Sequence, residues 1–129
     1  MVLSNHIALN FKGQEMTHAS NEIETIDIQI EHAKKHVNKM NSVFNLSKNK
    51  DFIDVIEKGY FEEEASRLVL LKADSNLQKP EDQASIIRSI DAIGHFRQYL
   101  GSVINIGRMM EKSLEDDTET YREMLGEDE

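Results

Sequence analysis

His32 and His36 stand four residues apart in the run HAKKH, the spacing at which two imidazoles leave one face of a helix and can share a metal ion. The run has no glutamate beside its first histidine, as a zincin would, and no third ligand is apparent, so a solvated basic face is the expected role. A carboxylate-bridged di-iron bundle needs Glu-x-x-His pairs on two helices. The chain offers Glu15 and His18 alone. Glu62, Glu63 and Glu64 are consecutive and so point in different directions around a helix, a poor cage for a cation. One of them is placed to pair with Arg67 a turn further on. His95, beside Gly94, has no nameable nucleophile to serve as a general base, and a partly buried or interface histidine is expected there. The sequence has no cysteine, which removes disulfides, thiolate zinc sites and thiol nucleophiles. It also lacks a glycine-rich phosphate loop and a nucleophile motif. The expectation is a protein without catalytic, cofactor-binding or metal-binding residues, and not an enzyme.

The elements that carry these side chains read as helices. With 129 residues there is one domain's worth of chain, and with one proline and six glycines there are too few turn residues for a sheet protein. A charged fraction of 30% against 39% apolar suits helices with a large wetted surface. Residues 1–18 are expected to form a polar arm. In it Ile7, Leu9 and Phe11 alternate with period two, as in an extended segment that could pair with a partner's edge or groove, and Gly13 ends the alternation.

A first helix is predicted over about 20–44, with Asn21 and Glu24 as a capping box or Ser20 as the rival cap. Its apolar positions Ile23, Ile26, Ile30, Ala33, Val37, Met40 and Phe44 step by three and four without a break. That is a narrow coiled-coil seam, made within the chain or between chains. A second helix, about 51–73 and started by Asn49 or Asp51, is apolar on several sides and should be covered by more than one neighbour. Gly59 in its middle marks a bend or a close approach. Pro80, Glu81 and Asp82 open a third helix reaching about residue 125. Its stripe runs Ile93, Phe96, Leu100, Val103, Gly107, Met110 and Leu114, with Asp117 as a break. Gly94 and Gly101, seven apart, share a face that a helix could approach closely. The expected fold is all-α: an elongated three-helix hairpin or bundle with coiled-coil character and an extended N-terminal arm, forming a helical domain over 19–125.

Charge is unevenly spread. Residues 115–129 carry eight acids and one arginine, a net −7 of the total −9. Between His32 and Lys50 lie five lysines, two histidines and no acid. The net sign argues against free nucleic acid as a ligand, while an acidic end could dock on a basic protein surface. No apolar run approaches the ~20 residues of a membrane span, and the N-terminus lacks a signal-peptide pattern. A reducing, aqueous compartment is expected, the virion or the host cytoplasm in the setting described next.

The stretch 59–103 resembles a group of small helical proteins encoded by tailed bacteriophages. In that group Gly-Tyr-Phe, then Glu and Ala, leads into an Arg-Leu-Val helix, a polar loop and an Ile-Gly-x-Phe/Leu-x-x-Tyr-Leu helix. The matching residues here are Gly59, Tyr60, Phe61, Glu64, Ala65, Arg67, Leu68, Ile93, Gly94, Phe96, Tyr99 and Leu100. The resemblance brings no catalytic residues with it. It implies a structural or assembly role in a phage particle, through helix contacts with other copies (a homo-oligomer) or with a larger virion protein. The seam residues Ile23, Ile26, Ile30, Val37, Met40 and Phe44, the pair Gly94 and Gly101, and the arm residues Ile7, Leu9 and Phe11 are the expected contact surfaces. The rival expectation is an acidic inhibitor or adaptor of a host protein.

Overall fold

The computed structural model describes the backbone of residues 11–126 and the side chains of residues 19–126. Those residues are helical almost throughout, with no strand among them. Helix α1 is Phe11–Ser47. Helix α2 is the single turn Lys50–Phe52, which runs without interruption into a π-helical segment, Ile53–Glu64, and then into α3, Ala65–Lys72. A 3₁₀ turn, Ser75–Leu77, leads to α4, Pro80–Leu125.

The beginning of α1 corrects the expected arm. Phe11 and Gly13 are helical, and Asn21 and Glu24 lie inside the helix instead of capping it. Ile7 and Leu9 fall outside the described residues. The spacing gives the reason: Met16, Ala19 and Ile23 extend the three-four rhythm by another heptad. One glycine, at about 1 kcal/mol against alanine, is too small a cost to stop it.

The remaining boundaries follow from capping chemistry. Asn49 is extended at φ −79°, and its Oδ1 accepts from the Phe52 amide at 2.9 Å, as an N-cap should. Asp74 does the same for the Asn76 amide at 2.8 Å. Gln83 closes the loop: its side-chain amide donates to the Lys72 carbonyl at 3.0 Å and to Leu77 at 2.8 Å, using carbonyls that the helix end and the turn leave over. Pro80 has no amide to lose at a helix start, and Glu81 and Asp82 follow in the first turn. Asp117 does not interrupt α4.

The chain divides into two compact units, one of residues 1–37 with 108–129 and one of residues 38–107. In the first, Ile30 and Ala33 are buried, and residues of α1 and α4 line two open clefts together. One, of about 440 Å³, has His32, Ala33, Met110 and Asp117 on its walls; the other, of about 560 Å³, has Ile26 and Met124. In the second, Met40, Leu68, Ile86, Ile93 and Val103 are buried, as is Gly107. Phe96 of α4 meets Tyr60 and Phe61 of the π segment at ring-centroid distances of 6.2 and 5.5 Å. No polar or charged side chain is buried among the described residues.

The π segment has a legible cause. Phe52, Ile56, Phe61 and Ala65 step by four, five and four residues, more than the ~3.6 of an α-turn. An i→i+5 ladder winds more widely and keeps such a row on one side. It also turns less per residue, so the adjacent Tyr60 and Phe61 both reach Phe96.

Candidate interaction surfaces

The α1 stripe is the covered side of that helix. Ile30 and Met40 keep 7% and 3% of their surface, and Ile23, Ile26, Val37 and Phe44 are half-buried. Ile30 and Met40 are thus covered by the chain itself, while the other four keep part of their surface exposed. The matching stripe on α4 behaves alike: Ile86, Ile93, Val103 and Gly107 are buried, and Ile90, Phe96, Leu100, Met110 and Leu114 are half-buried.

Among the described residues, a Cβ built on Gly94 or Gly101 meets nothing within 4 Å. Gly94 is half-buried and Gly101 exposed. The close approach is at Gly107 instead, where a Cβ would collide with the Met40 side chain, its Cγ and Sδ at 2.9 and 2.8 Å. Gly107 occupies a stripe position, where glycine stands in a row of larger apolar residues, and that substitution was the available signal. At Gly59 no neighbouring helix comes within 4 Å among the described residues: its Cβ would stand 3.0 Å from the carbonyl oxygen of Asp54, five residues back in the same ladder.

Among the described residues, the run 51–73 is covered only in part. Val55, Val69 and Leu70 are 65%, 57% and 73% exposed, and none of the π-segment residues is buried. An open cleft of about 600 Å³ borders the segment, lined by Val55, Ile56, Gly59, Tyr60, Glu64 and Phe96. Elsewhere Ile28, Tyr99 and Met109 are exposed apolar side chains of α1 and α4.

The polar candidates stay at the surface. His32 is exposed and His36 half-buried, their rings edge-to-face at 4.8 Å, and no group of three or more His, Asp or Glu able to hold a metal is found among the described residues. His95 is exposed in the chain, not partly buried. Arg67 holds Glu64 in a two-pronged ion pair, Nε to Oε1 at 2.8 Å and Nη2 to Oε2 at 2.6 Å, as the i,i+3 spacing predicts. Hydrogen bonding from the Arg67 guanidinium, with its charge, holds the Glu64 carboxyl below its ordinary pKa, and Arg67 is raised in return.

The two units differ most in charge. Residues 1–37 and 108–129 contain six basic and fourteen acidic side chains, a net −8, whereas residues 38–107 contain nine and ten, a net −1. No helix among the described residues is long and apolar enough to cross a membrane. Comparison with family models, with curated proteins and with solved structures gives no match.

Proposed function

We propose that the chain is a non-enzymatic helical assembly protein that works by laying its helices against those of another molecule, a second copy or a larger protein. The observation that carries this reading is the apolar surface left uncovered in a chain with so little core. Seven apolar side chains are buried and none is fully enclosed among the described residues, while ten large ones, Val55, Val69 and Leu70 among them, are exposed. Single exposed apolar residues are ordinary, but a helical run that leaves three large apolar side chains more than half exposed has cover still to gain. The setting in a phage particle is supported by the resemblance of residues 59–103 alone. In this reading Gly94 and Gly101, with nothing near them, are places where a partner helix can come close.

The test is the mass in solution of the whole chain beside the double variant Val69→Asp, Leu70→Asp. Both positions are exposed, so the variant should keep its helical spectrum while its mass falls from a multiple of 14.8 kDa to the single chain. A wild-type chain that stays single at every concentration and sediments with no particle fraction contradicts the reading.

A second reading, an acidic inhibitor that occupies a host protein's nucleic-acid-binding surface, is favoured by the net −8 concentrated in one unit. Deletion of residues 115–129 should then abolish inhibition; under the assembly reading the truncated chain still associates.

A further inference from the structure

The twelve residues Ile53–Glu64 form an i→i+5 ladder, whereas such ladders are found mostly as single-turn bulges and often at functional sites. Two opposed influences act on this segment. The ordinary α-ladder satisfies the same backbone groups with tighter geometry. Against it stands the aromatic cluster: Tyr60 and Phe61, themselves 6.0 Å apart, share Phe96 as a neighbour in the wide register. The packing that holds the wide register is thin, since no residue of the segment is buried and two open clefts, of about 410 and 600 Å³, flank the aromatic contacts. Gly59 sits at the middle. A Cβ there would stand 3.0 Å from the Asp54 carbonyl oxygen, five residues back in the ladder, a contact tighter than most side-chain carbons make.

We propose that Ile53–Glu64 is a register switch, which passes between the i→i+5 ladder and an α-helical one and in doing so rotates α3 about its axis relative to α2. The consequence is positional. In α-helical register Val55, Glu62, Ser66 and Val69 follow the seven- and four-three spacing of a single face, whereas the wide ladder moves Val55 off the line of Val69. The switch therefore sets whether the exposed Val55 and Val69 lie on one side of the helix, with Glu62 and Ser66 between them, or on different sides. The proposal concerns the helix itself and holds whatever molecule that side meets.

The chain has no cysteine, so two can be introduced for spin labels without interference. Asp51→Cys and Ser66→Cys are exposed and bracket the segment. Fifteen residues of α-helix span ~22 Å, and the wide ladder is shorter. The expected distance distribution of the otherwise wild-type chain has a dominant short component and a minor long one. Gly59→Ala, which adds the obstructing methyl and favours the α-helix, and Phe96→Ala, which removes the shared aromatic neighbour, should each raise the long component several-fold. One identical component in all three proteins overturns the proposal. Should a variant fail to fold, backbone relaxation dispersion on the unlabelled wild-type chain decides: exchange on the μs–ms scale confined to residues 53–64 is expected, and a segment without exchange overturns it.

Discussion

Helix α1 and the helical run 50–72 are both built on apolar stripes, and they wind differently because the stripes are spaced differently. On α1 the steps are three and four from Ile23 to Phe44, an average near the α-turn, and the result is an α-helix of 37 residues with one side covered. From Phe52 to Ala65 the steps are four, five and four, and the backbone answers with i→i+5 bonds. The wider steps of the half-buried row thus go with the wider ladder, which satisfies the same backbone groups as an α-helix would. The regular helix buries Ile30, Ala33 and Met40, while the wide one buries nothing completely and leaves Val55 in water.

The comparison predicts unequal costs for similar truncations. Met40→Ala should destabilise the chain by roughly 2–5 kcal/mol, since the side chain is enclosed. Ile56→Ala, half-exposed in the loosely packed segment, should cost about 1–1.5 kcal/mol. Denaturant unfolding of the two variants measures the gap, and equal losses would remove the packing difference from the account.

Glycines sharpen the same contrast. Gly107→Ala drives a methyl into Met40 and should cost about 1–3 kcal/mol, with a smaller loss when Met40→Ala accompanies it. Gly101→Ala meets open space in the middle of α4, so it should raise stability by up to ~1 kcal/mol. Thermal unfolding of the single variants and of the double variant reads both signs.

The smallest effect expected is electrostatic and lies at the junction of the π segment and α3. The Glu64 carboxyl has a lowered pKa in the folded chain, so the stability it contributes is present above its unfolded pKa and fades as pH falls through the folded value. Glu64→Gln should therefore lower the melting temperature slightly at neutral pH, and the difference from wild type should vanish well below about pH 4. The pair is exposed, so 0.5 M salt should shrink it too. A difference that persists in acid would mean that Glu64 acts through packing.

Much of this fold was legible in the residues. The α1 stripe, the Asn49 cap, the Pro80 start and the Glu64–Arg67 pair each rest on neighbours within a turn, and local chemistry settles those. Other features have no clear local signature, for different physical reasons. The first heptad of α1 carries Gly13 and a brief alternation ending at Phe11, which mask the continuing Met16–Ala19–Ile23 rhythm. Gly94 and Gly101 show where a helix could come close, and spacing says nothing about whether one does; Gly107 was hidden because it reads as one more stripe position. The π register was implicit in the four-five-four steps, yet the same residues on an α-wheel spread around the helix and look like a segment apolar on all sides.

The interaction surface was the least legible part. Ile30, Ala33 and Met40 of the α1 seam are buried and the rest of it is half-buried, while the large exposed apolar residues lie on 50–72 and elsewhere on α1 and α4. A stripe chosen for its regularity is the one a chain buries first, so residues outside it are the better indicators of what is left for a partner.

The link between stripe spacing and winding is tested most directly by hydrogen-bond scalar couplings in the labelled, otherwise unmodified chain. The Gly59 amide should couple to the Asp54 carbonyl, five residues back, while an amide of α1 such as that of Ala33 couples four back, to Gln29. A dominant coupling from Gly59 to Val55 would mean that residues 53–64 wind as an ordinary α-helix, and the account of this segment would be wrong.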